Sequence, residues 1–183
     1  MKDTILENLR FVKRNGISDL IQWLESTDYF VAPASASYHG NFEGGLIDHS
    51  YKVFKILEKL NEVFKRNIPK DSIIIMGLLH DVCKINFYKK EKRNKKVEGK
   101  WTTVDGFGIS EKEPLGHGAK SVILLNRHIE LTELEMYSIM WHMGIPDGYG
   151  DRQSFNNAMS LYPNSILLHN ADFMSSVIYE QAV

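Results

Sequence analysis

The chain has 183 residues, 43% of them hydrophobic, and its 22 Lys and Arg against 23 Asp and Glu leave a formal net charge of −1. That balance excludes a global field drawing it to nucleic acid or an anionic membrane, and a single cysteine, Cys83, excludes an internal disulfide. No apolar run approaches the ~20 residues that span a bilayer, so a cytoplasmic protein with one core is expected.

Residues 3–14 place Ile5, Leu6, Leu9 and Val12 at helical spacing, and Asn15-Gly16 closes that helix. Its mixed charge is unlike the apolar core of a signal peptide. A second helix is read over Ser18–Glu25 from Leu20, Ile21 and Leu24. "APASASYHGNFEGG", 32–45, is a loop rich in Ala, Ser and Gly. A long helix follows from Leu46 to about Phe64. Pro69 ends that stretch, and Asp71 or Ser72 is the expected N-cap of a helix holding Ile73 to Leu79.

Residues 85–105 change character, with aromatic and β-branched residues flanking a basic middle, and read as a small hairpin with a charged tip. Helical spacing returns at Gly118–Arg127, Thr132–His142 and Asn164–Gln181, the last two separated by the loop "MGIPDGYGDRQS". The pattern is an all-α bundle with one hairpin insertion.

Histidines are few: His39, His49, His80, His117, His128, His142 and His169. Five lie at or near the ends of the expected helices. The apolar run "IIIMGLL" finishes in His80 and Asp81, with Lys84 three positions on. Asp172 sits in "LLHNADFMSS", and a buried Asp there costs several kcal/mol unless it is paired or binds a cation. Imidazole with carboxylate suits Mn, Fe, Co, Ni or Zn better than Ca or Mg. Singly each residue has a dull explanation: a helix cap, a solvated loop, a lysine partner.

Together, the order His49, His80-Asp81, His117, His142, Asp172 resembles the HD superfamily of metal-dependent phosphohydrolases. The likeness runs over roughly residues 35–180 through "HGNFEGGLIDHS", "GLLHDVCK", "PLGHGAKSVILL", "WHMG" and "LLHNADF". It is closest to small stand-alone HD hydrolases of Firmicutes and their phages, and to the HD domain of bacterial 3′–5′ exonucleases. The resemblance implies a single HD domain over 1–183, with N-terminal helices in 1–30 packed on the HD core 35–180. It implies a primary metal site of His49, His80, Asp81 and Asp172. A second ion, shared through Asp81, would fall to His117 and His142, and Lys84 would contact the substrate phosphate. Two cations sharing Asp81 would acidify a water for in-line attack on phosphorus. The implied substrate is a phosphorylated small molecule of nucleotide type, cleaved at a phosphomonoester or phosphodiester. The alternatives are a single-strand 3′–5′ nuclease and a non-catalytic nucleotide-binding module.

Two features depart from the exonuclease pattern. Met143 stands where those domains carry a second histidine, and the hairpin is longer and more basic than in the simplest members. The comparison also assigns His39 to substrate or phosphate, and the loop after His142 offers Tyr149 or Arg152. His169 is expected beside the ligands, His128 on the surface, and Cys83 as packing. The run from Lys89 to Lys96 could attract a polynucleotide, with Phe87, Tyr88 and Trp101 as stacking surfaces, although charge runs more often form solvated tips.

Overall fold

The computed structural model describes residues 1–38, 40–97, 99–145 and 152–180. Helices α1 (Lys2–Phe11) and α2 (Ile17–Ser26) lead to α3 (Gly45–Val63) and α4 (Lys70–Leu79). A 3-10 turn over Val82–Lys84 precedes an antiparallel hairpin of β1 (Tyr88–Val97) and β2 (Lys100–Ile109). Then come α5 (His117–Asn126), α6 (Glu133–Met140), α7 (Arg152–Leu161), a short 3-10 turn, α8 (Ile166–Met174) and a π-helical turn over Ser175–Tyr179. Among the described residues the hairpin is the only sheet, so the fold is a helical bundle with one small β insertion. No described helix is long and apolar enough to cross a membrane.

The core forms because α4 is apolar on every side, with Ser72 through Leu79 all buried. Such a helix has to be surrounded. α3, α1 and α6 pack against it. Ile5, Leu9, Leu20 and Leu24 join the same buried cluster as Leu57, Ile74 and Leu168. Two glycines set how closely the helices approach. A Cβ on Gly77 would lie 2.5 Å from Phe54 Cα, so the α3–α4 contact requires glycine there. A Cβ on Gly118 would lie 2.0 Å from Met140 O, which fixes the approach of α5 to α6. These contacts bring the helix ends bearing His80, His117 and His142 to one place.

α6 begins with a capping box, in which Glu135 N donates to Thr132 Oγ1 and Thr132 N donates to Glu135 Oε2. The same carboxylate takes two bonds from Arg14, at 2.7 and 2.9 Å, tying the α1–α2 link to α6.

Several expectations need correction. The hairpin extends to Ile109 rather than stopping near 105. α4 starts at Lys70 with Pro69 as its N-cap, because Pro69 O accepts from Ile73 N, and Asp71 instead accepts from Lys13 N. The stretch read as one helix from Asn164 to Gln181 is broken into 3-10, α and π turns. α7 was not expected at all. Its residues RQSFNNAMSL bury only Ala158, so the helix lacks the apolar stripe that would announce it.

Candidate metal centre

His80 and His142 reach the site by the same local device. Each follows a helix that has just ended, where the last carbonyls lack intrahelical donors. His80 Nδ1 donates to Gly77 O at 3.1 Å, and His142 Nδ1 donates to Ile139 O at 2.7 Å. Both bonds span three residues, so the ring folds back on its own helix and its Nε2 faces inward. Tyr29 adds to this, its buried hydroxyl donating to Leu78 O at 2.6 Å. Asp81 then leaves the helix at φ −107°, ψ 21°, in the sparsely populated bridge region where many active-site residues sit.

Asp81 is the hub. Its Oδ2 lies 3.5 Å from His80 Nε2, 3.7 Å from His49 Nε2 and 2.6 Å from Lys84 Nζ. Its Oδ1 lies 3.5 Å from His142 Nε2. Lys84 meets Asp81 because the 3-10 turn eclipses residues three apart, an outcome the sequence spacing anticipates. Asp172, on α8, places Oδ1 3.1 Å from His49 Nε2. His49, Asp81 and both inner histidines are almost fully buried.

Burial alone would raise the Asp81 carboxyl, but Lys84, His80 and His142 hold it well below the usual range. Asp172 is likewise depressed against its burial, by His49 and the neighbouring rings. Burial pushes His80 down. His142 is held up, because Asp81 outweighs its burial. His49 also resists its burial, standing at about 9 because Asp172 and Glu180 accept from its two ring nitrogens. Burial takes the Cys83 thiol to about 12, so it is no nucleophile and serves as packing.

The residues fit a divalent cation. The Nε2 atoms of His80 and His142 are buried with no hydrogen-bond partner, which is costly for a polar atom unless something binds it. Their Nδ1 atoms are engaged by carbonyls, so each Nε2 carries the lone pair that a metal needs. Ligand atoms of His49, His80 and Asp81 lie within 4.8 Å of one another, as do those of His80, His142 and Asp172. His117 joins Asp81 and Cys83 in a third such group. It opens α5 at the mouth of the site, its ring 6.1 Å from that of Phe87.

A cleft of about 170 Å³ opens on this centre, lined among others by Asp81, Lys84, His117, His142, His169 and Asp172. His169 does not join the ligand clusters. Its Nδ1 donates to His142 O at 2.6 Å and its ring stacks on Phe173, at the border of the cleft. Arg152 is exposed at the start of α7, and among the described residues it does not line this cleft. His39 and Tyr149 lie outside the described residues. His128 stacks on Trp23 rather than standing alone at the surface. A larger cleft of about 530 Å³ beside the hairpin base holds none of the His and Asp set.

Sequence reasoning missed Glu180. Its Oε1 lies 3.0 Å from His49 Nδ1, and Ser175 Oγ donates to the same oxygen. Nothing in its spacing signals this, since the π turn alone brings it back over α3.

The HD domain family model matches residues 46–173. The dihydroneopterin 2′,3′-cyclic phosphate phosphodiesterase of Methanocaldococcus jannaschii is 45% identical over 65 residues, covering 33% of this chain and 26% of that relative. No solved structure matches.

Proposed function

The chain belongs to the HD domain family, and from that premise we propose that it is a metal-dependent phosphohydrolase. It cleaves a phosphomonoester or phosphodiester of a nucleotide-like substrate, with water as nucleophile. The observation that carries this reading is the convergence of two partnerless, buried Nε2 atoms on a shared carboxylate. The relative's printed substrate, dihydroneopterin 2′,3′-cyclic phosphate, favours the phosphodiester and a nucleotide-like body. The small cleft suits one phosphoryl group entering at a time.

His49, His80, Asp81 and Asp172 would hold a first cation of the Mn, Fe, Co, Ni or Zn type. Asp81, His117 and His142 would hold a second. Such cations polarise phosphoryl oxygens and make water acidic enough to attack near neutral pH. The protein supplies the rest. The carbonyls of Gly77 and Ile139 lock the rings of His80 and His142, so the ligand atoms need little reorganisation. Lys84, buried and charged, presents its ammonium at the cleft, where it can stabilise negative charge growing on the phosphoryl oxygens. No other nucleophile is needed, and Cys83 is protonated.

The shared buried cluster supports reading residues 1–183 as one HD domain, with 1–30 packed on the core. A lone, buried thiol is compatible with a cytoplasmic setting.

The test is a screen of Mn- or Fe-loaded protein against 2′,3′-cyclic and linear phosphodiesters and phosphomonoesters. Hydrolysis that Asp81→Asn abolishes is expected. A metal-loaded protein that turns over none of these classes would remove the hydrolase and leave the binding module.

A further inference from the structure

The hairpin is inserted between the two halves of the site. β1 begins four residues after Lys84, and seven residues separate the end of β2 from His117. Six of the ten β1 residues are Lys or Arg, on a chain whose net charge is −1. The strand register sorts these residues by face, because side chains alternate along a strand and cross-strand partners share a side. Tyr88, Lys90, Lys92, Asn94 and Lys96 stand opposite Ile109, Phe107, Asp105, Thr103 and Trp101. One face therefore interleaves three lysines with three aromatic rings.

The opposite face is the packed one. Gly108 is buried there, and Arg93 donates to Ala36 O and Ser37 Oγ on the loop before α3. On the aromatic face Lys90 pairs with Glu43. Lys92 and Lys96 have no carboxylate within salt-bridge distance among the described residues. Trp101, directly opposite Lys96, is 75% exposed. A solvated charge run has no need of a bare indole, and an isolated indole has no need of lysines beside it.

We propose that this face of the hairpin binds single-stranded nucleic acid, with bases stacked on Trp101 and Phe107 and phosphates met by Lys92 and Lys96. Unstacked bases offer π-faces to such rings, whereas a duplex would present only its phosphates to them. The base of the arm adjoins the centre through Phe87, whose ring packs on that of Tyr88 and lies 6.1 Å from that of His117. A strand held on the arm is thereby led towards the cleft. That last step, in which the scissile bond is an oligonucleotide phosphodiester, rests on the proposed hydrolase activity; the binding does not.

The experiment is fluorescence anisotropy of a short fluorescein-labelled oligothymidylate with the full chain in EDTA. Binding that weakens steeply between about 50 and 200 mM salt is expected. Lys92→Glu/Lys96→Glu and Trp101→Ala should each weaken it about tenfold or more, and Trp101→Phe should restore most of the loss. All these positions are exposed, so thermal midpoints should stay at the wild-type value. The proposal is overturned if the oligonucleotide fails to bind at 50 mM salt, or if these variants bind as wild type. It is equally overturned if a duplex of the same length, or anionic phospholipid vesicles, displace the strand as well as unlabelled single strand does. Hydrolysis of bis(p-nitrophenyl) phosphate by the Mn-loaded variants separates the two readings. Variants that lose binding but keep hydrolysis are the expected result. A wild type that hydrolyses the diester without binding the oligonucleotide removes the arm alone, while binding intact with no hydrolysis in wild type removes the hydrolase and leaves the arm standing.

Discussion

Glu180 Oε1 lies 3.0 Å from His49 Nδ1, across 131 residues of sequence. The carboxylate resists its own burial and sits at about 2, because His49 and Ser175 both donate to it. It fixes the ring so that Nε2 turns towards Asp81 and Asp172. This is the carboxylate–histidine arrangement that orients metal ligands and raises their basicity.

Glu180→Ala should lower Mn affinity by about 10- to 100-fold, the scale for losing such a partner. Glu180→Gln keeps an acceptor for Nδ1–H and should recover most of it. Isothermal titration with Mn measures both. Equal affinities in all three proteins would show that Glu180 only packs.

Asp81→Ala removes the carboxylate common to both candidate sites. Elemental analysis of protein purified without chelator should find most of the metal gone, where wild type retains it. Wild-type protein at background metal content under the same handling would count against the centre as a whole.

Much of this was legible before folding. His80, Asp81 and His142 sit at helix ends and Asp172 within an apolar helix, but it is their order, through the family resemblance, that singles them out, and the bundle does bring them together. Lys84 follows from a spacing of three that a 3-10 turn makes eclipsed. Glu180 was illegible because its position depends on a π turn with no compositional marker. Likewise α7 has too few buried residues to show a period. The link from Arg14 to Glu135 depends on tertiary packing across 121 residues, which local patterns cannot reveal.

Lys84 distinguishes chemistry from folding. Its ammonium is held above the usual lysine range despite its burial, because it sits 2.6 Å from Asp81. Lys84→Ala leaves Asp81 short of a partner in metal-free protein, where the unfolding midpoint should fall by the equivalent of about 3 kcal/mol. Saturating Mn should restore the midpoint towards wild type, since cations meet the same carboxylate. Turnover of the loaded variant should still drop roughly 10²-fold, as when one transition-state donor is lost. Unchanged turnover would end the phosphate role.

The Arg14–Glu135 pair predicts a dependence of stability on acid. Glu135 is fully buried, and burial alone would raise its pKa. The bonds from Arg14, Ser72 and the Thr132 backbone outweigh that and lower it below the ordinary 4.5. A depressed carboxyl stabilises the fold above its unfolded pKa, and that contribution is lost as pH falls through the lower native value. Asp71 and Glu130 also act on Arg14 and keep it charged throughout. Glu135→Gln should therefore cost about 2–3 kcal/mol at pH 7, where it strands a largely buried guanidinium and weakens the capping box. The gap between wild type and variant should close as pH drops from about 4.5 towards 3. Other depressed carboxyls, Asp81 and Asp172 among them, steepen the acid limb of both proteins alike, so the difference isolates Glu135. Urea unfolding at a series of pH values reads it directly. A gap that stays constant down to pH 3 would mean that Glu135 contributes through shape rather than charge.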